Sequence, residues 1–387
     1  MVRTVFVGCG AALEHLYRKP LCEMERRGWL EVVAVADPSP ERSRRAAEWF
    51  RHAGSFPSLE GSLEAASAPD LVIIASPPAF HAVQACAAFA AGCHVLCEKP
   101  MSESVEGAQQ MVSAAAGAGR LLAVGMARRF YPSVAAARAW VRGNNGFPMK
   151  FSYREGSLFD WPVASAAQFR RSTGGGGVLI DKGIHALDTL CHIFGPGRLV
   201  RSADDAPRGH GVESNMVLDL SFGATRGLMQ VSWEAPLNNG FQVAGQEEEL
   251  WMPISPIDAV WIRRLSAGAV LPWSRREAIP TWPSDLSSGR FSPKNIFDCI
   301  RLELVSMLRA IHMGEPLVAD GAEGLSVMRL LVEAYERAAP LRQPWLPEAE
   351  RRSVAARHWR SNGHAASPSS PASEAAPSLT TFASRAH

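Results

Sequence analysis

Through the first third of the chain, short apolar runs alternate with stretches of helical periodicity. Arg3–Val7 reads as a strand, and Ala11–Arg27 places apolar residues three and four apart before Gly28. Glu31–Ala36 is a second strand, followed by a helix across Pro40–Arg51. Leu71–Ala75, His94–Cys97 and Leu121–Gly125 are further strands, separated by helices over Ala79–Ala91 and Ser104–Gly117. Strands with no polar face cannot lie on a half-solvated sheet, so the pattern predicts a doubly wound parallel sheet covered by helices on both sides.

After Phe147 the period shortens. Lys150–Glu155 opens a region of alternating strands, in which Glu213–Phe222 and Arg226–Trp233 read as antiparallel neighbours joined at Gly223-Ala224-Thr225. Helices are expected at Val178–Phe194, Asn295–Met313 and Gly321–Ala338. Eight of the 11 tryptophans lie beyond Lys150, and core or subunit-interface burial is the better reading for most of them than stacking on a ligand. From about Arg360 the chain turns rich in Ser, Ala and Pro, a composition with too little apolar surface to offset its ordering entropy. The expected organisation is therefore a dinucleotide-type domain at 1–130, an α+β domain with a large, open, mostly antiparallel sheet at 131–345, and a disordered tail at 346–387.

Composition narrows the function classes. At 47% hydrophobic and 20% charged, the 387 residues have the balance of ordinary globular domains. Forty basic and 38 acidic side chains leave a net charge of +2, which makes no case for nucleic acid or an anionic membrane surface. No apolar run is long enough to span a bilayer, and Met1–Gly10 lacks the pattern of an export signal, so the cytoplasm is the expected location. Seven scattered cysteines read as reduced thiols. On the strand, Cys93 and Cys97 share a face while His94 points away, and no second ligand pair follows, so no metal is expected.

Gly8-Cys9-Gly10 sits where the first strand gives way to the first helix. Glycines there permit a tight turn and close approach of a pyrophosphate to the helix N-terminus. Leu13 stands at the third fingerprint position, so the turn alone is a weak signal. Asp37, ending the second strand, strengthens it, since a carboxylate at that distance accepts hydrogen bonds from the adenosine ribose. Its charge repels a 2′-phosphate, which favours NAD over NADP unless Arg42 or Arg44 swings across.

Two segments carry candidate chemistry. Lys99, in Glu98-Lys99-Pro100, lies just past the fourth strand, and is either a solvated loop charge or a cation aimed at substrate. The glycine run Gly174–Gly177 precedes a helix in which Asp181 and His185, four apart, share a face. On spacing alone they are a surface acid and a satisfied histidine. Arg129 either borders the substrate cleft or makes a structural ion pair, and Asp188 caps or anchors its helix.

Taken together these residues resemble the Gfo/Idh/MocA family of sugar and cyclitol oxidoreductases. The likeness runs over roughly residues 3–340 and rests on Val7-Gly8-Cys9-Gly10, Ala36-Asp37-Pro38, Ala75-Ser76-Pro77-Pro78 with His81, and His94–Pro100. It continues through the glycine run, Asp181-Lys182-Gly183-Ile184-His185, and late helices like Phe297–Glu323. The resemblance implies a Rossmann domain, with Gly8, Cys9, Gly10, Asp37, Ser76, Pro77, His81, Glu98 and Lys99 about the cofactor. It also implies a sheet domain that makes homodimers or homotetramers, and Lys99, Asp181 and His185 as catalytic residues that bind substrate; Arg129 joins the substrate-binding candidates from its place after the last Rossmann strand. The acidic run Gln246–Glu249 stands where relatives often carry a second glycine turn.

The chemistry agrees with those roles. Oxidising a secondary alcohol needs a base, which a near-neutral histidine supplies, and a cation for the developing alkoxide, which lysine supplies. Asp181 would orient the histidine or bind a neighbouring hydroxyl. The expected activity is hydride transfer between nicotinamide and a sugar, cyclitol or nucleotide sugar. An NAD-using glycosidase and a non-catalytic nucleotide or sugar sensor are the alternatives. Substrate choice would rest on Ser157–Arg171 and Val231–Pro253.

Overall fold

The computed structural model describes residues 1–66, 68–144, 147–159, 176–206, 212–266, 269–270 and 274–341. The first sheet is built from β1 (Val2–Val7), β2 (Leu30–Ala36), β3 (Gly54–Phe56), β4 (Leu71–Ile74), β5 (His94–Cys97) and β6 (Leu122–Val124). All pairings are parallel, in the order β3-β2-β1-β4-β5-β6. Every residue of Leu71-Val72-Ile73-Ile74 is buried, as a strand covered on both faces requires.

Helices α1 (Arg18–Arg26), α2 (Pro40–Ala47), α3 (Leu59–Ala65), α4 (Pro78–Ala90) and α5 (Val105–Ala118) cross between these strands. Ser39, Ser58 and Ser104 each accept a backbone N–H at the start of α2, α3 and α5, and Gly119 ends α5 in the left-handed region. The predicted helix over Ala11–Arg27 runs unbroken from Ala11 to Arg26, with one irregular turn inside it. Leu13–Tyr17 forms a widened turn in which the Arg18 N–H reaches back five residues to the Leu13 carbonyl. The short β3 and α3, and α6 (Pro132–Gly143), were not foreseen, because each is too short or too weakly periodic to stand out.

The second sheet gathers β7 (Lys150–Gly156), β8 (Arg198–Asp204), β9 (Asn215–Phe222), β10 (Thr225–Ser232), β11 (Gly240–Ala244), β12 (Glu248–Pro253), β13 (Ala259–Ser266), β14 (Ala269–Val270), β15 (Ser274–Glu277) and β18 (Ala338–Pro340); β16 (Trp282–Pro283) and β17 (Arg290–Phe291) pair separately. Neighbours are antiparallel except β7 with β10 and β8 with β18. Phe222 pairs with Thr225, so the predicted hairpin turns on Gly223-Ala224 alone, with Gly223 at φ +60°. The acidic run does not disturb the sheet. Glu248 and Glu249 open β12, directly opposite Arg264 and Arg263 of β13 and ion-paired with them.

Helix α7 (Ile184–Phe194) lies on the inner face of this sheet, where Phe194 meets Phe151, Phe222 and Phe241 at centroid distances of 5.4, 5.2 and 5.9 Å. It continues from a widened turn, Leu179–Gly183, that follows helical Val178, so the helical run spans the predicted Val178–Phe194. The late helices α8 (Ile296–Met313) and α9 (Gly321–Glu336) return to the first sheet's side. Gly321 and Gly324 let α9 close on β6, where an added Cβ would come within 2.6 Å of Leu122 and 2.7 Å of Val124. No helix among the described residues is long and apolar enough to cross a membrane. The expected tail at 346–387 and Thr173–Gly175 of the glycine run lie outside the described residues.

Candidate active site

The sheet order reverses between β1 and β4, and the loops after β1, β2, β4 and β5 all leave the same carboxyl edge. That edge is where doubly wound sheets hold ligands. Gly8, at φ +96°, packs against the end of β4: a Cβ there would lie 2.6 Å from the Ala75 carbonyl and the Ser76 nitrogen. A Cβ on Gly10 would meet nothing within 4 Å. The helix that follows begins at Ala11, so Gly10 stands at its cap position with no side chain, and Pro77 likewise gives α4 no side-chain cap. Open space beside Gly10 and two helix starts without side-chain caps on one edge fit a dinucleotide's phosphates.

This geometry separates the two glycines. Gly8→Ala should cost about 1–3 kcal/mol from backbone strain alone, and weaken both folding and NADH binding. Gly10→Ala should keep the melting temperature within about a degree while weakening NADH binding at least roughly tenfold, because the methyl enters only the space the pyrophosphate needs. Thermal melts and fluorescence titration check the pair; unchanged NADH affinity in Gly10→Ala would remove the phosphates from this turn.

Asp37 is held within its own loops. Oδ2 accepts from the Cys9 N–H at 2.9 Å, and Oδ1 from the Ser39 N–H at 2.8 Å and Arg42 Nε at 3.1 Å. Arg42 does therefore reach across the pocket and offsets the Asp37 charge, whereas Arg44 turns back to the Pro40 carbonyl. Cys9 presents only its backbone here. Its thiol is buried, near the Ala36 carbonyl, and burial and then Asp37 push it up to about 12. Any part Cys9 takes in the glycine turn is therefore through its backbone.

His81 acts between two loops. It is buried, with Nδ1 2.9 Å from the Pro100 carbonyl and Nε2 2.6 Å from the Ser76 carbonyl. It ties the Ser76-Pro77 loop to the loop of Lys99, which makes it a positioning residue. Ser76 donates to Gln84 Oε1 at 2.6 Å.

Glu98 also faces protein. The Tyr17 hydroxyl, carried inward by the first widened turn, lies 2.6 Å from Glu98 and 3.1 Å from Glu303 of α8. One hydroxyl hydrogen cannot serve two carboxylates. Burial and then the Glu98 charge hold Glu303 well above the usual carboxylate range, so Glu303 carries a proton to Tyr17, and Tyr17 donates to Glu98. The Lys99 N–H donates to the other Glu98 oxygen at 3.1 Å.

Lys99 and the second widened turn meet. Lys99 Nζ donates to the Asp181 carbonyl at 2.9 Å and lies 3.9 Å from Asp181 Oδ1, while Trp233 Nε1 donates to Asp181 Oδ2 at 2.9 Å. Asp181 is therefore oriented by Lys99 and Trp233. It makes no hydrogen bond to His185, whose Nδ1 is buried without a partner among the described residues. Burial, then Lys99 and Arg128, hold the His185 imidazole well below its ordinary value, so it is neutral near pH 7. Arg128 is fixed by paired bonds to Glu155 at 2.7 and 2.8 Å and by the Tyr153 hydroxyl at 3.0 Å. Burial alone would raise Glu155, but Arg128 outweighs it and keeps the carboxylate charged.

Residues 2–126 match the model described as "Oxidoreductase family, NAD-binding Rossmann fold", and residues 136–250 the GFO/IDH/MocA C-terminal domain. The chain is 35% identical to the inositol 2-dehydrogenase of Acidothermus cellulolyticus, over 77% of this chain and 88% of that one. The chain belongs to the GFO/IDH/MocA oxidoreductase family. It is also 30% identical to the D-glucoside 3-dehydrogenase of Escherichia coli over 50% of this chain, spanning 54% of that enzyme. A levoglucosan dehydrogenase solved with NADH and levoglucosan shares the fold, with a TM-score of 0.71 at 19% identity, covering 87% of this chain and 97% of that one.

Within this GFO/IDH/MocA oxidoreductase, Arg129 makes the structural ion pair that the sequence offered as one of two readings. It is 2% exposed, with Nε and Nη2 on Asp188 at 2.6–3.1 Å and Nη1 on the Val318 carbonyl and Glu323. Every donor group is taken, so the expected substrate role gives way to the ion pair, and Asp188 anchors α7 through it. Tyr17, Arg128, Trp233 and Glu303 were missed as site residues because nothing local marks them; a buried tyrosine or tryptophan with a polar tip was the only available signal. Glu213, also missed, secures the second widened turn, accepting the Leu179 N–H at 3.0 Å on its side chain and the Val178 N–H at 3.0 Å on its carbonyl.

Proposed function

We propose that this protein is an NAD-dependent dehydrogenase that moves hydride between nicotinamide and a secondary alcohol or ketone of a sugar, cyclitol or nucleotide sugar. The observation that carries the reading is the convergence of Lys99 on Asp181 beside the deprotonated His185, next to an edge shaped for a dinucleotide. The cofactor, when bound, accepts or returns the hydride. Gly8, Gly10 and Asp37 hold it, with the Ser76-Pro77 loop and the Glu98-Lys99 backbone alongside.

The remaining work belongs to side chains. His185 takes the hydroxyl proton on Nε2, since Nδ1 is enclosed, and in reduction it returns that proton. Lys99 donates to the same oxygen and stabilises its growing negative charge. Asp181, held by Trp233, keeps Lys99 in place and offers its carboxylate to a neighbouring hydroxyl. NAD is favoured over NADP by Asp37, with the margin narrowed by Arg42.

Domains at 1–130 and 131–345 accord with the two sheets. A homodimer or homotetramer is supported by the outer sheet face, where Trp251 and Trp261 pair across strands at 6.0 Å and Leu228 is 37% exposed; a monomer mass by light scattering would overturn it. Seven free thiols support the reducing cytoplasm, which cell fractionation tests.

The test is NADH binding to purified protein, then a sugar and cyclitol panel followed at the nicotinamide absorbance. Turnover should vanish in His185→Ala. Because His185 stays neutral below the ordinary value of about 6.5, oxidation by the intact enzyme should hold its rate down to pH below about 6. Tight cofactor with bond cleavage but no net NADH would point instead to a glycosidase, and binding without turnover to a sensor.

A further inference from the structure

A second cleft, of about 330 Å³, opens between α6, the C-terminal end of α7 and the start of α9. Its charged lining is Arg129, Arg138, Arg142, His192 and Glu323. None of these belongs to the reacting centre: His192 is seven residues beyond His185 on α7, about 10 Å along the helix axis. Among the described residues Glu323 is the sole carboxylate in the lining, and it is already bonded to Arg129.

The other cations are left over. Arg138 and Arg142, four apart on one face of α6, have no ion-pair partner among the described residues, and like charges at that spacing repel. Arg138 Nε and His192 Nδ1 are buried with no hydrogen-bond partner. A polar group enclosed without a partner is costly, and a half-buried guanidinium ordinarily has a carboxylate on it. Burial, then Arg129, Arg138 and Arg142, bring His192 down to about 3, so near pH 7 it is a neutral ring able to donate one N–H.

We propose that this cleft is a binding site for phosphate, free or as a monoester group, with Arg138, Arg142 and His192 as its donors. Arg129 already faces two carboxylates, Asp188 and Glu323, so Arg138 and Arg142 leave the cluster one positive charge in excess, and a tetrahedral oxyanion has enough oxygens to accept from donors on two helices at once. A bound anion adds to the Glu323 charge in offsetting the repulsion between Arg138 and Arg142. Arg129 links the floor of this cleft to Asp188 and so to the helix that carries His185.

The experiment uses the full chain with inorganic phosphate as the probe, ionic strength held constant with sodium chloride, and excess NADH present so that the glycine turn is not the site measured. NADH binding is read separately, so a failure of the dinucleotide reading shows on its own. Phosphate should raise the melting temperature of the intact protein by a few degrees. Arg138→Gln with Arg142→Gln should abolish that rise, while the melting temperature without phosphate stays level or increases. Should the double variant not fold, Arg142→Gln alone should weaken the phosphate Kd roughly tenfold by calorimetry, the loss of a charge-assisted hydrogen bond. No phosphate effect on the intact protein, or an equal effect on the variants, overturns the site.

Discussion

Lys99→Ala should lower kcat/KM for alcohol oxidation by about 10²–10³-fold while NADH affinity stays within a few-fold. The ammonium sits in a partly enclosed cleft, 2.9 Å from the Asp181 carbonyl, where a cation beside a developing alkoxide is worth far more than it would be in water. Truncation leaves the Trp233–Asp181 bond and the Arg128–Glu155 pair untouched, so the damage stays local. A second readout tests the same cation. After burial, Lys99 is the largest influence holding the His185 imidazole down, so its loss should let that ring titrate at higher pH. The His185 ring resonances in an NMR titration would then move upward in pH, and with them the acid limb of the residual rate. A variant that kept more than roughly a tenth of the activity would take Lys99 out of the chemistry.

Arg129→Met should destabilise the protein by about 3–5 kcal/mol, the range for breaking a buried ion pair from one side. Asp188 would be stranded: its carboxylate is almost wholly buried, and Arg129 supplies most of its bonds. Burial already raises the Asp188 carboxyl above its ordinary range although Arg129 opposes this, and without Arg129 it should rise further. A carboxyl whose folded value is raised stabilises the fold below its unfolded value, near 3.9, and loses that contribution as pH climbs through the folded value. The deficit relative to the intact protein should therefore be smaller at pH 5 than at pH 8 in urea denaturation. Adding Asp188→Leu should recover part of the loss, since no charge is then left buried. An equal deficit at both pH values would mean that Asp188 is not the stranded group.

The strand and helix order of the first sheet was readable because its signals are local. Leu71–Ile74 and His94–Cys97 fall within a residue of their predicted limits, since a strand buried on both faces has no polar positions to confuse its edges. The hairpin at Phe222–Thr225 was readable for a similar reason, with glycine marking the turn. Irregularity inside a helix was less legible. Both widened turns, at Leu13–Tyr17 and Leu179–Gly183, keep ordinary helical periodicity in sequence, and a turn wider by one residue leaves no mark in composition.

The site divides along the same line. Gly8, Gly10, Asp37, Lys99, Asp181 and His185 lie in short motifs whose spacing along the chain carries information, and the sequence by itself determined their identity and the class of chemistry they suit. What each one touches was decided by contacts between segments far apart in the chain. Trp233 reaches Asp181 across 52 positions, Glu303 reaches Tyr17 across 286, and Arg129 turns from the cleft to Asp188 across 59. A residue pattern reports local geometry and which face is buried. It does not report which remote polar group will satisfy a donor once both are taken out of water, and that is settled only when the sheets and helices have packed.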